Sequence, residues 1–187
     1  GAIGSETAVS QIAIATHDLP DAFRPETIAE AEKARETKIE AEGFRREDWR
    51  SVPLVTIDPP DAKDHDDAVF AEPDDAKDNE GGHVVTVGIA DVSCYVRPHS
   101  QLDREALARG NSVYFPDRVV PMLPERISND LCSLRPDEDR PALAVRMRID
   151  KHGKKIGHTF HRVMMRSAAK LSYQQAQQAW DGKPDAT

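Results

Sequence analysis

Five aspartates, Asp58, Asp61, Asp64, Asp66 and Asp67, fall within ten residues of the run Thr56-Ile-Asp-Pro-Pro-Asp-Ala-Lys-Asp-His-Asp-Asp67. Like charges held a few Å apart repel by about 1 kcal/mol per pair in water and by more in a partly buried loop, so an ordered cluster of this kind calls for a cation. Carboxylate oxygens are hard ligands and select Mg²⁺ or Mn²⁺ over zinc. On an extended backbone Asp64 and Asp66 share a face and Asp67 points away, so convergence needs a bend; Pro59 and Pro60 supply one that could also return Asp58. Two metal ions bridged by these carboxylates could activate a water and neutralise charge on both the attacking and the leaving oxygen of a phosphodiester. Taken generically, an Asp-rich loop is more often a solvated turn, and some bind calcium. The EF-hand pattern fails here because its Gly and final Glu are absent.

The elements around the loop are legible from pattern. Residues 53–57 form a short β-branched run that ends where Pro59 and Pro60 forbid both a helix and a central ladder, so a strand delivers the chain into the acidic loop. Residues 68–71 resume as a strand, and 83–90 form another beyond the acidic segment 73–82, which reads as a solvated turn. Residues 142–150 and 156–166 read as an antiparallel hairpin. Good helix formers with Pro25 at the first turn predict a helix from 25 to about 42, stopped by Gly43; residues 102–109 predict a second, stopped by Gly110, and 172–180 a third. Residues 6–24 show no sustained period and read as an extended lead-in. Strands followed by helices, without βαβ alternation or an internal repeat, give the α+β class, an antiparallel or mixed sheet with flanking helices.

At 187 residues the chain has room for one core of ordinary size. No apolar run approaches the roughly 20 residues that span a bilayer, and the start lacks the order of a secretory signal, so the chain reads as cytoplasmic. Gly1 to Ser5 read as a cloning remnant. Cys94 and Cys132 form no CxxC pair and no zinc spacing, and both read as buried thiols. The net charge of −8 argues on its face against a nucleic-acid partner, but the average hides a split: residues 1–108 carry −13 and residues 109–187 carry +5.

The particular string TIDPPDAKDHDDAVF resembles the signature of the ribonuclease II/R (RNB) family, in which a strand ends in Asp and an Asp-x-Asp-Asp follows six residues later. The resemblance continues in order through VGIADVSCYV, NSVYFPDRVVPMLPERISNDLCSLRPDEDRPALAVRM and SAAKLSY, about residues 52–175. The stretch IAIATHDLPDAF and the Asp-Ala-Lys-Asp wording look closer to the ribonuclease R branch. The resemblance implies an incomplete RNB catalytic domain: a remnant at 1–5, a lead-in and linker helix at 6–51, and the N-terminal part of the catalytic domain at 52–187. It implies metal-dependent hydrolysis of single-stranded RNA from the 3′ end with release of nucleoside 5′-monophosphates, at a two-metal Mg²⁺ site in which Mn²⁺ can substitute. Asp58, Asp64, Asp66 and Asp67 fall on the four family aspartates that surround the metals. Asp61 falls outside that set, His65 sits where the family varies and reads as a satisfied group at the surface or behind the ligands, and Asp91 also matches a family position but reads as a structural hydrogen bond to a turn.

Tyr114 matches the family aromatic that stacks on the base nearest the scissile bond, and Tyr173 matches a tyrosine of the RNA channel linked to preference for RNA over DNA. On their own, Tyr114 reads as core and Tyr173 as one residue of an amphipathic helix. The positive second half offers Arg118, Arg126, Arg135, Arg146, Arg148, Lys154 and Lys155 to an RNA backbone. The family's catalytic domain continues beyond the matched stretch, including an arginine beside the scissile phosphate, so the chain reads as a fragment of a larger enzyme. The competing reading is a catalytically dead RNA-binding or regulatory module of the same fold, against which the intact aspartates argue.

Overall fold

The computed structural model describes residues 6–41 and 43–185. In chain order they form α1 (Glu6–Thr16), α2 (Pro25–Lys33), β1 (Glu40–Ala41), β2 (Phe44–Arg45), β3 (Glu47–Trp49), β4 (Val55–Asp58), β5 (Asp67–Pro73) and β6 (His83–Ala90). There follow α3 (Gln101–Arg109), β7 (Val113–Tyr114), β8 (Val119–Val120), β9 (Asp139–Ile149), β10 (Lys155–Arg166), β11 (Ala169–Ser172) and α4 (Tyr173–Trp180). Contacts divide the chain into two compact units, Gly1–Arg35 with Val92–Asp130, and Glu36–Asp91 with Leu131–Thr187. The remnant expected at residues 1–5 lies outside the described residues.

The second unit is built on a seven-stranded mixed sheet in the order β11-β4-β5-β6-β9-β10-β3. The outermost pairs, β11 with β4 and β3 with β10, are parallel, and every pair between them is antiparallel. The α+β class with a mixed sheet is therefore the architecture of the chain. One face is packed closely because small residues line it: Ala68, Gly88 and Ala144 are cross-strand partners, as are Ala90, Ala142 and Val163. A Cβ at Gly88 would lie 3.2 Å from the Met165 sulfur, so a side chain there would push Met165 back by a few tenths of an ångström, while Leu54 stays in ordinary contact at 3.9 Å.

The first unit holds α1, α2, α3 and the β7–β8 pair. Glu105 of α3 is buried at its centre and accepts bonds from the Thr27 hydroxyl, the Arg24 backbone N–H at 3.2 Å and Arg109 at 3.0 Å. Burial alone would raise its pKa, but these donors outweigh it and hold the carboxyl below the usual glutamate value.

Several expectations are corrected. Residues 6–16 are helical rather than extended, with Ser10 and Ile14 buried and the Ser10 hydroxyl bonded to Asp117. The helix expected from 25 to about 42 stops at Lys33, because Ala34 turns extended and the Arg35 guanidinium caps the last carbonyls, those of Glu32 at 2.7 Å and Ala34 at 2.9 Å. Glu40–Ala41 instead pairs with Phe44–Arg45. Segment 73–82 is the exposed turn expected, but one that is held: Asp74 accepts from Asn79 at 2.8 Å and from Arg148 at 2.7 Å, which hold its carboxyl down to about 2. Cys132 is buried as expected, but Cys94 closes a 3₁₀ turn and is partly exposed.

Candidate functional site

β4 reaches the aspartate loop with Leu54 and Thr56 fully buried, so Asp58 is carried to the sheet's end on an anchored strand. At Pro59 the pairing stops, and the chain turns through a bond from the Ala62 amide to the Pro59 carbonyl. The bend that the prolines suggested is fixed from outside the loop as well as within it. His65, 2% exposed, places Nδ1 2.7 Å from Asp58 Oδ2. The Ser133 hydroxyl donates to the Lys63 carbonyl at 2.8 Å and accepts from the His65 amide at 3.2 Å, while the Leu134 amide donates to the His65 carbonyl at 2.7 Å. The Lys170 ammonium adds a bond to the Ala62 carbonyl at 3.1 Å. Leaving the loop, the Asp66 carbonyl accepts from the Ala90 amide at 2.9 Å, and Asp67 starts β5 opposite Ile89.

The four aspartates lie within electrostatic reach of one another. Asp66 is pushed above the ordinary aspartate value, first by partial desolvation and then by the charges of Asp67, Asp64 and Asp58. That is the response expected of carboxylates gathered without a counter-charge. Asp58 and Asp64 are half-buried, Asp66 and Asp67 stand at the surface, and Asp61 points to solvent. Oxygen donors alone, net negative and partly desolvated, suit a hard divalent cation. Among the described residues no three His, Cys, Asp or Glu side chains already close around a common metal position.

Tyr173 belongs to the same unit as the aspartates. Parallel pairing sets Ser172, the last residue of β11, beside Asp58 of β4, and Ser172 then caps α4 in a capping box with Gln175, so Tyr173 is the first helical residue, one past the neighbour of Asp58. It is 57% exposed. Tyr114 sits in the other unit, on β7 opposite Val119, and is 64% exposed rather than core. Asp91 is structural, its carboxylate 2.8 Å from the buried Arg46. Of the basic residues offered to an RNA backbone, Arg118, Arg126, Arg135, Arg146 and Arg148 each pair with an acidic side chain, whereas Lys154 and Lys155 lie exposed at or beside the β9–β10 hairpin tip.

Sequence reasoning missed the grip of Ser133 and Leu134 on the loop. Nothing local signals it, since the partners are 68 residues apart. His65, expected as a satisfied group at the surface or behind the aspartates, is not at the surface: it is buried with Asp58 as its partner.

Comparison with known proteins places these features in a family. The RNB domain matches residues 46–187. A ribonuclease R of Acidithiobacillus ferrooxidans is 48% identical over 87% of this chain and 36% of its own length, and one of Vibrio parahaemolyticus is 46% identical over 96% of this chain and 21% of its own. This chain thus spans between about a fifth and about a third of these relatives. The structure of Mycoplasma genitalium RNase R in complex with ribose-methylated single-stranded RNA superposes on the whole chain with a TM-score of 0.88 at 28% identity, covering 28% of that protein. The matched segment takes in the whole aspartate loop, both tyrosines and Ser133, and the chain belongs to the RNB domain family.

Proposed function

We propose that the protein of which this chain forms part is a cytoplasmic, metal-dependent exoribonuclease that degrades single-stranded RNA from the 3′ end and releases nucleoside 5′-monophosphates. The observation that carries the reading is the bent, pinned loop of an RNB-family chain, which gathers Asp58 at the end of β4, Asp64 and Asp66 in the bend and Asp67 at the start of β5. Relatives bear the name ribonuclease R, and one homologous structure holds single-stranded RNA, which supports RNA as the substrate class. Among the described residues no helix is long and apolar enough to cross a membrane.

Asp58, Asp64, Asp66 and Asp67 would hold Mg²⁺, with Mn²⁺ able to substitute. When bound, two such ions supply a polarised water and neutralise charge on the attacking and leaving oxygens. Asp58 is held by His65 and the strand end, Asp64 and Asp66 by the pinned bend, and Asp67 by the start of β5. Exposed Tyr173, one residue past the neighbour of Asp58, has a hydroxyl suited to a ribose 2′-OH, and exposed Tyr114 has a face on which a base can stack for about 1–3 kcal/mol without reading sequence. A catalytically dead module would have little use for four mutually repelling carboxylates.

The test uses the full-length parent on 5′-labelled RNA and DNA of one sequence, resolved on a gel. Stepwise shortening from the 3′ end, with DNA ignored, is expected. Tyr114→Ala should change the size of the last product, and Tyr173→Ala should narrow the gap between RNA and DNA. Internal cuts, or DNA degraded as fast as RNA by the unmutated enzyme, would overturn the reading.

A further inference from the structure

We infer that Ser133 is a positioning residue for the candidate metal site, an inference that rests on the reading of Asp58, Asp64, Asp66 and Asp67 as metal-binding. The stretch between Pro60 and Asp66 belongs to no helix or strand, so its backbone polar groups must find partners elsewhere or meet water. One hydroxyl takes up two of them. It donates to the Lys63 carbonyl at 2.8 Å and accepts from the His65 amide at 3.2 Å, straddling Asp64. The Leu134 amide, next in the chain, takes the His65 carbonyl at 2.7 Å. Three bonds from two consecutive residues therefore fix the backbone on both sides of Asp64 and immediately before Asp66.

The staple is itself anchored. Ser133 is wholly buried, and its carbonyl accepts from Arg140 Nε at 3.2 Å, a buried side chain of β9 in the middle of the sheet. By holding the His65 backbone, Ser133 also holds the imidazole 2.7 Å from Asp58 Oδ2. A single serine thus sets the direction of Asp64 and Asp66 and, through His65, that of Asp58. The chemistry needs a side chain that donates and accepts at once: a hydroxyl does both, a thiol does so weakly, and alanine does neither. Without it a carbonyl and an amide lose their partner in a buried place, and the loop regains freedom that a metal ion would have to remove on binding.

Ser133→Ala, Ser133→Thr, Ser133→Cys and Asp66→Asn would be compared with the wild-type chain by Mn²⁺ calorimetry and by amide hydrogen exchange across residues 62–67, with circular dichroism to check folding. Ser133→Ala is expected to weaken Mn²⁺ binding about 10- to 100-fold and to lose protection at the His65 amide, as for residues that orient metal ligands from behind. Ser133→Thr should keep both properties and Ser133→Cys should fall between. Wild-type Mn²⁺ affinity in a folded Ser133→Ala, or an unprotected His65 amide in the wild type, would overturn the inference. Should Ser133→Ala fail to fold, Ser133→Cys decides: matching the wild type in both readouts overturns it. Equal Mn²⁺ binding by wild type and Asp66→Asn would instead sink the metal reading beneath it, while the exchange data still report whether Ser133 holds the loop.

Discussion

Removing Arg46 should destabilise the sheet unit through an orphaned charge. Arg46 and Asp91 are both nearly inaccessible to solvent, at 3% and 7% side-chain exposure, and meet at 2.8 Å, joining the segment before β3 to the end of β6. Deleting one member of such a pair leaves the other's charge buried without its counter-charge, at a cost of roughly 3–5 kcal/mol. For Arg46→Met, with a urea slope of about 2 kcal/mol per M, a loss of about 4 kcal/mol moves the midpoint down by about 2 M. The chain's two tryptophans suit the assay, because both lie in this unit: Trp49 is buried in β3, three residues from Arg46, while Trp180 is 87% exposed and changes little on unfolding. Arg46→Met/Asp91→Asn, which removes the charge but keeps an acceptor, should recover at least half of the loss. The damage should also reach the site, because the Ala90 amide that holds the Asp66 carbonyl adjoins Asp91, and its hydrogen exchange should accelerate. A double variant as unstable as the single one would show that the cost lies in the arginine's packing, and a single variant within about 0.5 kcal/mol of wild type, the range of ordinary surface changes, would refute the argument.

Leu54→Ala should cost about 2–5 kcal/mol in the same fluorescence assay, since Leu54 is fully buried beside Gly88 and Met165; a loss under 1 kcal/mol would mean that the sheet closes over the gap. Glu105→Gln should destabilise the helical unit at neutral pH. Because the folded Glu105 pKa is depressed, its contribution is present above the unfolded value and lost as pH falls through the folded one, so the gap between wild type and variant should narrow on acidification, and a gap constant with pH would contradict this. Mn²⁺ calorimetry on the chain should show weak binding that Asp66→Asn diminishes, and equal heats from the two proteins would remove Asp66 from the metal site.

What was legible in the sequence follows from where each structure gets its stability. β6 falls on the residues expected, and α3 within one residue of its expected start, because a strand-forming run bounded by turn formers and the Gly110 stop are local signals. α4 begins one residue after the start expected at Ser172, which is its N-cap. α1 was missed because its β-branched residues suggest no helix and its buried Ser10 is satisfied by Asp117, a hundred residues away. The run after Lys33 has helix propensity throughout, yet a propensity of a few tenths of a kcal/mol per residue yields to tertiary bonds such as that of the Arg126 guanidinium to the Ala34 carbonyl. At the site, the aspartates and prolines announced both charge and bend. What holds the bend, Ser133, Leu134 and the burial of His65 against Asp58, is a long-range arrangement without a period.

On the proposed reading these carboxylates act on the scissile phosphate through metal rather than hold the RNA. Asp67→Asn in the full-length parent separates the two roles when RNA hydrolysis and RNA affinity are measured side by side in Mg²⁺. Hydrolysis should disappear while affinity stays within about threefold of wild type, as expected when a group serves the reaction rather than binding. Hydrolysis and affinity lost in parallel would make the loop a structural element of the RNA-binding surface, and hydrolysis retained would contradict the account outright.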